Sequence, residues 1–277
     1  MFFILGTPRS GTTLLTSILN LHQDVVIPDE TDYIIPTILL CERIVSAEAG
    51  RRLISDFITS TGRFRESLGV YLSPDDVREA VHGAPYDAKS VILALHERLA
   101  AAAGKRCAGD KSPNDLEFAQ VMMRHGVLAR PTKIVHIVRD PRDVFFSIKM
   151  LGWPVGDRTF MNDWASANLR ILRGFGGNAD QYHLIRYEDF VKQAEQKTRA
   201  IVEFLGLPWQ PDILDDARRG ERHRNQFQHR SLTKPIRPRA VGQWKTAREI
   251  PWRELFAGND KALRSFGYAR VGERAAS

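Results

Sequence analysis

The sequence predicts an α/β fold in three layers, a mainly parallel central sheet flanked by helices, and three observations predict it. Apolar runs of strand length alternate with longer stretches of helical periodicity; the runs are continuous, as in strands buried on both faces; and the intervening segments are long enough for crossover helices. In such a sheet the ligand crevice lies beyond the carboxyl ends of the strands. In chain order, the strand-like runs are Phe2-Phe3-Ile4-Leu5, Lys133 to Val138 and Tyr182 to Ile185, and the helical stretches include Thr13 to Leu21 and Lys192 to Leu205. From Thr31 to about Ala103 the pattern is mostly helical, punctuated at Gly50, Gly62, Ser73-Pro74 and Gly83-Ala84-Pro85. That stretch predicts a helical insertion whose aromatic residues Tyr33, Phe57, Phe64, Tyr71 and Tyr86 serve mostly as core.

With 277 residues and 43% hydrophobic content the chain can bury a full core, and residues 1–277 read as one domain. No run approaches the roughly 18–20 apolar residues that span a bilayer, and the N-terminal run stops at Gly6 without a basic region or cleavage site. Cys41 and Cys107 make neither a disulfide framework nor a spaced zinc site, so a reducing, cytoplasmic location is expected. The net charge of +7 suits an anionic partner without choosing among them. Arg218, Arg219, Arg222, Arg224, Arg230, Lys234, Arg237 and Arg239 crowd one stretch opposed only by Glu221, either a solvated basic loop or a phosphate-binding one.

Gly6-Thr7-Pro8-Arg9-Ser10-Gly11-Thr12-Thr13 follows a strand and opens a helix, where successive backbone N–H groups and the helix dipole form an anion cradle. The spacing of Gly6 and Gly11 is that of a P-loop, yet Thr12 stands where an NTPase needs its phosphate-reaching Lys. A kinase or NTPase neutralises two phosphates with Lys and magnesium. A 5'-phosphosulfate carries less charge there and suits amides, hydroxyls and the Arg9 guanidinium. The strand ending in Val138 leads to Arg139-Asp140-Pro141, and Asp at N-cap with Pro at N1 starts a helix, so the free charge at that strand end belongs to Arg139. Ser147, eight positions on, can meet the same phosphate.

Pro8-Arg9-Ser10-Gly11-Thr12-Thr13-Leu14-Leu15 resembles the 5'-phosphosulfate loop of the sulfotransferases that use 3'-phosphoadenosine 5'-phosphosulfate (PAPS), especially the tyrosylprotein and bacterial ones. The segment Asp24 to Pro36 around Asp29-Glu30-Thr31 resembles their catalytic-Glu segment, Gly109-Asp110-Lys111-Ser112-Pro113 their active-site Lys segment, and Tyr187-Glu188-Asp189 with Phe204 to Trp209 their second half. The resemblance implies a P-loop-like fold, PAPS as donor with adenosine 3',5'-bisphosphate as product, and no metal. It implies that Arg9, Ser10, Gly11, Thr12 and Thr13 hold the 5'-phosphosulfate, that Arg139 and Ser147 hold the 3'-phosphate, and that Tyr187 lies near the adenine. Leu151 stands near the place of a further basic residue of the family, for which Lys149 or the Arg-rich loop is expected to compensate. Ser231 to Ile236 leading to Gly242-Gln243-Trp244 resembles a nucleotide-covering flap, here residues 218–248, with Lys234 reaching the 3'-phosphate.

Sulfuryl transfer needs a base for the acceptor proton and donors for the charge on the departing oxygens. Glu30 is the base the resemblance implies, since a Glu carboxylate is ordinarily ionised at neutral pH; read alone, it would be a surface Glu in a helix first turn. Arg9 and Lys111 are the electrophilic stabilisers. The partner is a hydroxyl-bearing acceptor, whether small molecule, glycan or tyrosyl peptide, covered by the insertion over about 31–103. Asp32 and Thr37 replace the basic residues with which tyrosylprotein sulfotransferases grip acidic peptides, which favours a bacterial type of enzyme acting on a small molecule or glycan. A P-loop kinase or NTPase, and a basic nucleic-acid-binding protein with stacking aromatics, are the alternatives; neither accounts for both anion sites.

Overall fold

A computed structural model describes residues 1–156, 159–216 and 235–269, with the backbone alone at 113 and 114. Five strands, β1 (Phe2–Leu5), β2 (Val25–Val26), β3 (Cys107–Asp110), β4 (Lys133–Val138) and β5 (Tyr182–Arg186), form one sheet in the order β2-β3-β1-β4-β5. Every pairing is parallel. Side chains of β1 alternate between two cores. Phe3 and Leu5 join Val26 and Ile134 on the face covered by the insertion, whereas Phe2 and Ile4 join Val25, Val135 and Ile137 on the other. The second face is covered by α1 (Thr12–Leu19), α10 (Tyr187–Lys192) and α11 (Ala194–Leu205). Each large side chain so buried contributes roughly 1.5–3 kcal/mol. A third cluster at the end of β4 joins Val138 to α8 (Pro141–Met150), α9 (Phe160–Phe175) and short helices at Trp252–Leu255 and Asp260–Ser265.

The insertion comprises α2 (Ile34–Arg43), α3 (Ala47–Ser60), α4 (Gly62–Glu66), α5 (Pro74–Gly83) and α6 (Ala88–Ala102), and α7 (Ala119–Arg124) follows β3. Its boundaries follow from capping. Ser73 and Asp76 form a reciprocal capping box with Pro74 at N1, and Asp87 accepts a hydrogen bond from the Ser90 amide to open α6. Hydrogen bonds from Ser73 and Arg98 hold the Asp76 carboxyl down at about 2. Tyr33 and Phe64 are core, as expected, whereas Phe57 is exposed. Cys41 and Cys107 are free thiols. Among the described residues no helix is long and apolar enough to cross a membrane.

Two local differences from the sequence reading have physical causes. The strand Cys107–Asp110 has too few apolar residues to register as one; it forms because Gly109 lets the Phe2 ring lie where a Cβ would stand, 2.5 Å from the ring's Cζ. Gly50 does not punctuate a helix but sits inside α3. The Tyr86 hydroxyl, donating to Ile44 O at 2.9 Å, occupies the place of a Cβ at Gly50, with only 1.8 Å between them. Gly→Ala inside a helix ordinarily stabilises by up to about 1 kcal/mol, but here overpacking wins. Gly50→Ala is expected to lower stability by about 1–3 kcal/mol, read as a fall in the urea midpoint, and an unchanged or raised midpoint would refute the contact.

Candidate active site

The loop between β1 and α1 is shaped by two absent side chains. A Cβ on Gly6 would stand 2.6 Å from Ile137 O, and one on Gly11 2.5 Å from the Tyr187 ring. Gly11 is also the N-cap of α1 with φ 95°, a left-handed conformation natural to glycine. Arg9, at φ 68°, adopts the left-handed region without that excuse, the kind of local strain found at functional sites. Thr7 and Ser10 hydroxyls hydrogen-bond each other at 2.6 Å. No side chain caps α1 and no acid occupies its first turn, which leaves its leading N–H groups without a side-chain acceptor.

Two guanidiniums meet beside this loop. Arg9 Nε donates to Ser147 Oγ at 3.2 Å, and its guanidinium lies over Trp153, 5.8 Å from the ring centre. Arg139 donates to Arg9 O at 2.8 Å and to Ala240 O at 2.6 Å, and covers the Tyr187 ring at 4.7 Å. Its Nε is buried with no hydrogen-bond partner. Burial, and then the charge of Arg139, pull the Arg9 pKa below its ordinary value. Among the described residues the partners of these two cations are thus a hydroxyl, carbonyls and aromatic faces. Asp140 serves as N-cap of α8 and binds Arg142 through both oxygens, at 2.8 and 2.7 Å, so its carboxylate is engaged within the helix start.

The second half of the site lies at the ends of β2 and β3. Lys111, 5% exposed, donates to Glu30 Oε1 at 2.8 Å. Glu30 is not in a helix first turn; it sits in irregular chain between β2 and α2. That segment is fixed by side chains. Asn20 brackets Ile27 through its backbone N–H and C=O, and Thr31 donates its hydroxyl to Asp110 Oδ2 at 2.8 Å.

Of the residues expected from sequence, the structure joins Arg9, Gly11, Arg139, Ser147 and Tyr187 into one cluster and Glu30 with Lys111 into another; no hydrogen bond links the two clusters among the described residues. Arg9 thus pairs with Ser147 and not with the Glu30–Lys111 cluster. Lys149 places its ammonium over the Phe145 ring at 5.3 Å. Lys234 and most of the basic stretch lie outside the described residues, and Arg237 and Arg239 are exposed.

Sequence reasoning missed the anchor of the segment that follows. Asp143, in the first turn of α8, accepts from the amides of Gly242 at 2.6 Å and Trp244 at 3.0 Å, while Arg142 stacks on Trp244 at 4.3 Å. Glu188 likewise accepts from the Asp140 amide and from the Tyr268 hydroxyl, tying β5 to β4 and to the C-terminal residues. Only spacing relative to a fold reveals such partners, which stand 99 and 80 positions apart.

A profile of the sulfotransferase family matches residues 2–211. A protein-tyrosine sulfotransferase of Drosophila melanogaster is 28% identical over 77% of this chain and 39% of its own length. Protein-tyrosine sulfotransferase 1 of Danio rerio is 25% identical over 77% of this chain and 55% of its own. Among solved structures, the sulfotransferase domain of the curacin biosynthetic pathway superposes with a TM-score of 0.65 at 23% identity, over 98% of both chains. That of the Synechococcus PCC 7002 olefin synthase gives 0.66 at 22%, over 97% of this chain and 94% of its own. At these identities the structural likeness speaks for the fold.

The Asp143 anchor makes a prediction of its own. Asp143→Ala removes two charge-assisted bonds, each worth about 1.5–3 kcal/mol, and is expected to release residues 240–246, speeding tryptic cleavage after Lys245. Cleavage at the wild-type rate in a folded variant would show that the strap is held by other contacts.

Proposed function

The chain belongs to the sulfotransferase family, and from that premise we propose that it transfers a sulfuryl group from PAPS to an acceptor hydroxyl by in-line displacement, with Glu30 as general base. The observation that carries this reading is the pair of guanidiniums beside an uncapped glycine-loop helix, Arg9 donating to Ser147 and Arg139 to the Arg9 carbonyl, with Arg139 Nε unpartnered. A nucleotide bearing phosphates at both its 5' and 3' ends supplies anions to both places. The Lys111–Glu30 pair at the neighbouring strand ends supplies a cation and a base.

In this mechanism the acceptor oxygen attacks sulfur as its proton passes to Glu30, the bond from sulfur to the bridging phosphate oxygen breaks, and that oxygen keeps the electron pair. Lys111 stabilises the charge on the departing side. Arg9 joins it when the nucleotide's phosphate takes over its bond to Ser147. Tyr187, beneath Gly11 and Arg139, forms a wall of the nucleotide site. An NTPase reading lacks support, because Thr12 stands at the Lys position and Asp140 is engaged by Arg142.

For the acceptor, the curated relatives act, by name, on protein tyrosine. In this chain Asp32 is held by Arg63 at 3.1 Å and Thr37 is buried, so neither offers the positive charge that grips an acidic peptide. A small molecule or glycan is the acceptor this favours.

Adenosine 3',5'-bisphosphate at about 100 times its dissociation constant is expected to stabilise the protein by roughly 2.7 kcal/mol, raising Tm well beyond the effect of AMP. Arg139→Ala should abolish that difference; equal shifts from the two nucleotides in the wild type would remove Arg139 and Ser147 from the site. Glu30→Gln should leave bisphosphate affinity intact, measured by calorimetry, while turnover of PAPS with an active acceptor falls by about 10²–10⁴. Near-normal turnover would show that the proton goes elsewhere.

A further inference from the structure

Behind the Glu30–Lys111 pair lie two carboxyl groups that the mechanism above leaves without a role. Asp110 ends β3 and is 1% exposed; Asp115, in the turn that follows, is 3% exposed. Asp110 Oδ2 accepts the Thr31 hydroxyl at 2.8 Å, and Thr31 is the residue next to Glu30. The other oxygen, Asp110 Oδ1, and Asp115 Oδ2 are buried without a hydrogen-bond partner, as is the hydroxyl of Ser112 beside Asp110. Yet the two carboxyls lie against each other. Ionised carboxylates are acceptors only, so two of them side by side in a dry interior repel unless a proton lies between them, a repulsion that the single Ser112 hydroxyl cannot remove.

The surroundings reinforce that conclusion. Glu30, Asp32 and Tyr33 face the pair from the segment before α2, and Lys111 faces it from the strand end. Asp32 is paired with Arg63, and Lys111 is committed to Glu30. Burial lifts the Asp110 pKa to about 6 and, with the adjoining Asp110, raises that of Asp115 well above the carboxylate range. Glu30 meanwhile belongs to irregular chain, with Asp32 just beyond it in the left-handed region at φ 52°, so it is side-chain bonds that fix its position.

We propose that Asp110 and Asp115 form an acid pair sharing one proton, and that this pair positions Glu30: Asp110 holds Thr31, and the shared proton holds Asp110. The positioning half rests on the reading of Glu30 as base. Asp110 and Asp115 are positioning residues, since neither touches the reacting atoms.

Amide substitutions discriminate this from a merely structural role. In Asp115→Asn the amide N–H replaces the shared proton. In Asp110→Asn the amide oxygen still accepts from Thr31 while its N–H donates to Asp115. Asp110→Ala and Thr31→Val both cut the tether. With the full chain, PAPS and a panel of acceptors (2-naphthol, a monosaccharide and a tyrosyl peptide), Asp110→Ala and Thr31→Val should lose about 10- to 100-fold in kcat. Their affinity for adenosine 3',5'-bisphosphate should not change, and both Asn variants should turn over close to the wild-type rate. Should Asp110→Ala fail to fold, Thr31→Val decides. An Asp110→Asn loss as large as that of the tether-cutting variants overturns the pair.

The pH dependence of Tm tests the proton independently of turnover. A carboxyl whose pKa is raised on folding contributes stability that is present below the unfolded value and lost as pH rises through the folded one. Wild-type Tm should therefore fall as pH rises through about 6 and beyond, and Asp115→Asn should flatten that fall; an unchanged slope in Asp115→Asn refutes the shared proton. A wild type that turns over no acceptor sinks the sulfuryl-transfer reading and the positioning claim with it, while the Tm slope still decides the acid pair.

Discussion

The site depends on one buried cation. Arg139, 5% exposed, has no ion-paired carboxylate among the described residues; it is held by the carbonyls of Arg9 and Ala240 and by the face of Tyr187. Burying a charge on such terms is costly, and the cost is offset only while three separate parts of the chain keep their places: the loop after β1, the start of α10 and the strap near residue 240. Asp143 adds a compensating negative charge nearby, and it is also what ties the strap down. Loop, wall and strap are consequently a single electrostatic unit.

The parallel sheet explains why these parts meet. All five strands run the same way, so their carboxyl ends share one edge, and each delivers something to it: β1 the glycine loop, β2 the Glu30 segment, β3 Lys111, β4 Arg139 and β5 Tyr187. The chain leaves β1 for β2 and β3 on one side and returns to β4 on the other, which opens the crevice at the reversal of strand order. The two hydrophobic cores on either face of β1 fix the height of these ends relative to one another.

What the sequence made legible was local. The glycine loop, the Asp140-Pro141 helix start and the arginine at a strand end are each written in a handful of adjacent residues, and Gly11 and Asp140 open their helices where the sequence places those starts. The helical insertion was legible for the same reason, through caps such as Ser73-Pro74. The hidden features are those whose meaning comes from a distant partner. Gly50 reads as a break until Tyr86 fills its missing side chain. Cys107–Asp110 does not register as a strand until β1 supplies a ladder and Phe2 a roof over Gly109. Asp143 reads as an ordinary acid in a helix's first turn, and Asp110 as the neighbour of a lysine, because amides and hydroxyls 99 and 79 positions away give them their roles.

The ion pair between Lys111 and Glu30 has a bearing on fidelity. An ammonium and a carboxylate 2.8 Å apart satisfy each other, so on the proposed reading the base is masked while the acceptor is absent. A stray water reaching the donor would meet a carboxylate already engaged by an ammonium. An acceptor that fills the crevice can separate the pair and so unmask the base. On that reading the resting contact would act as a safety catch against wasteful hydrolysis of an activated sulfate, released by the compound that is to receive it.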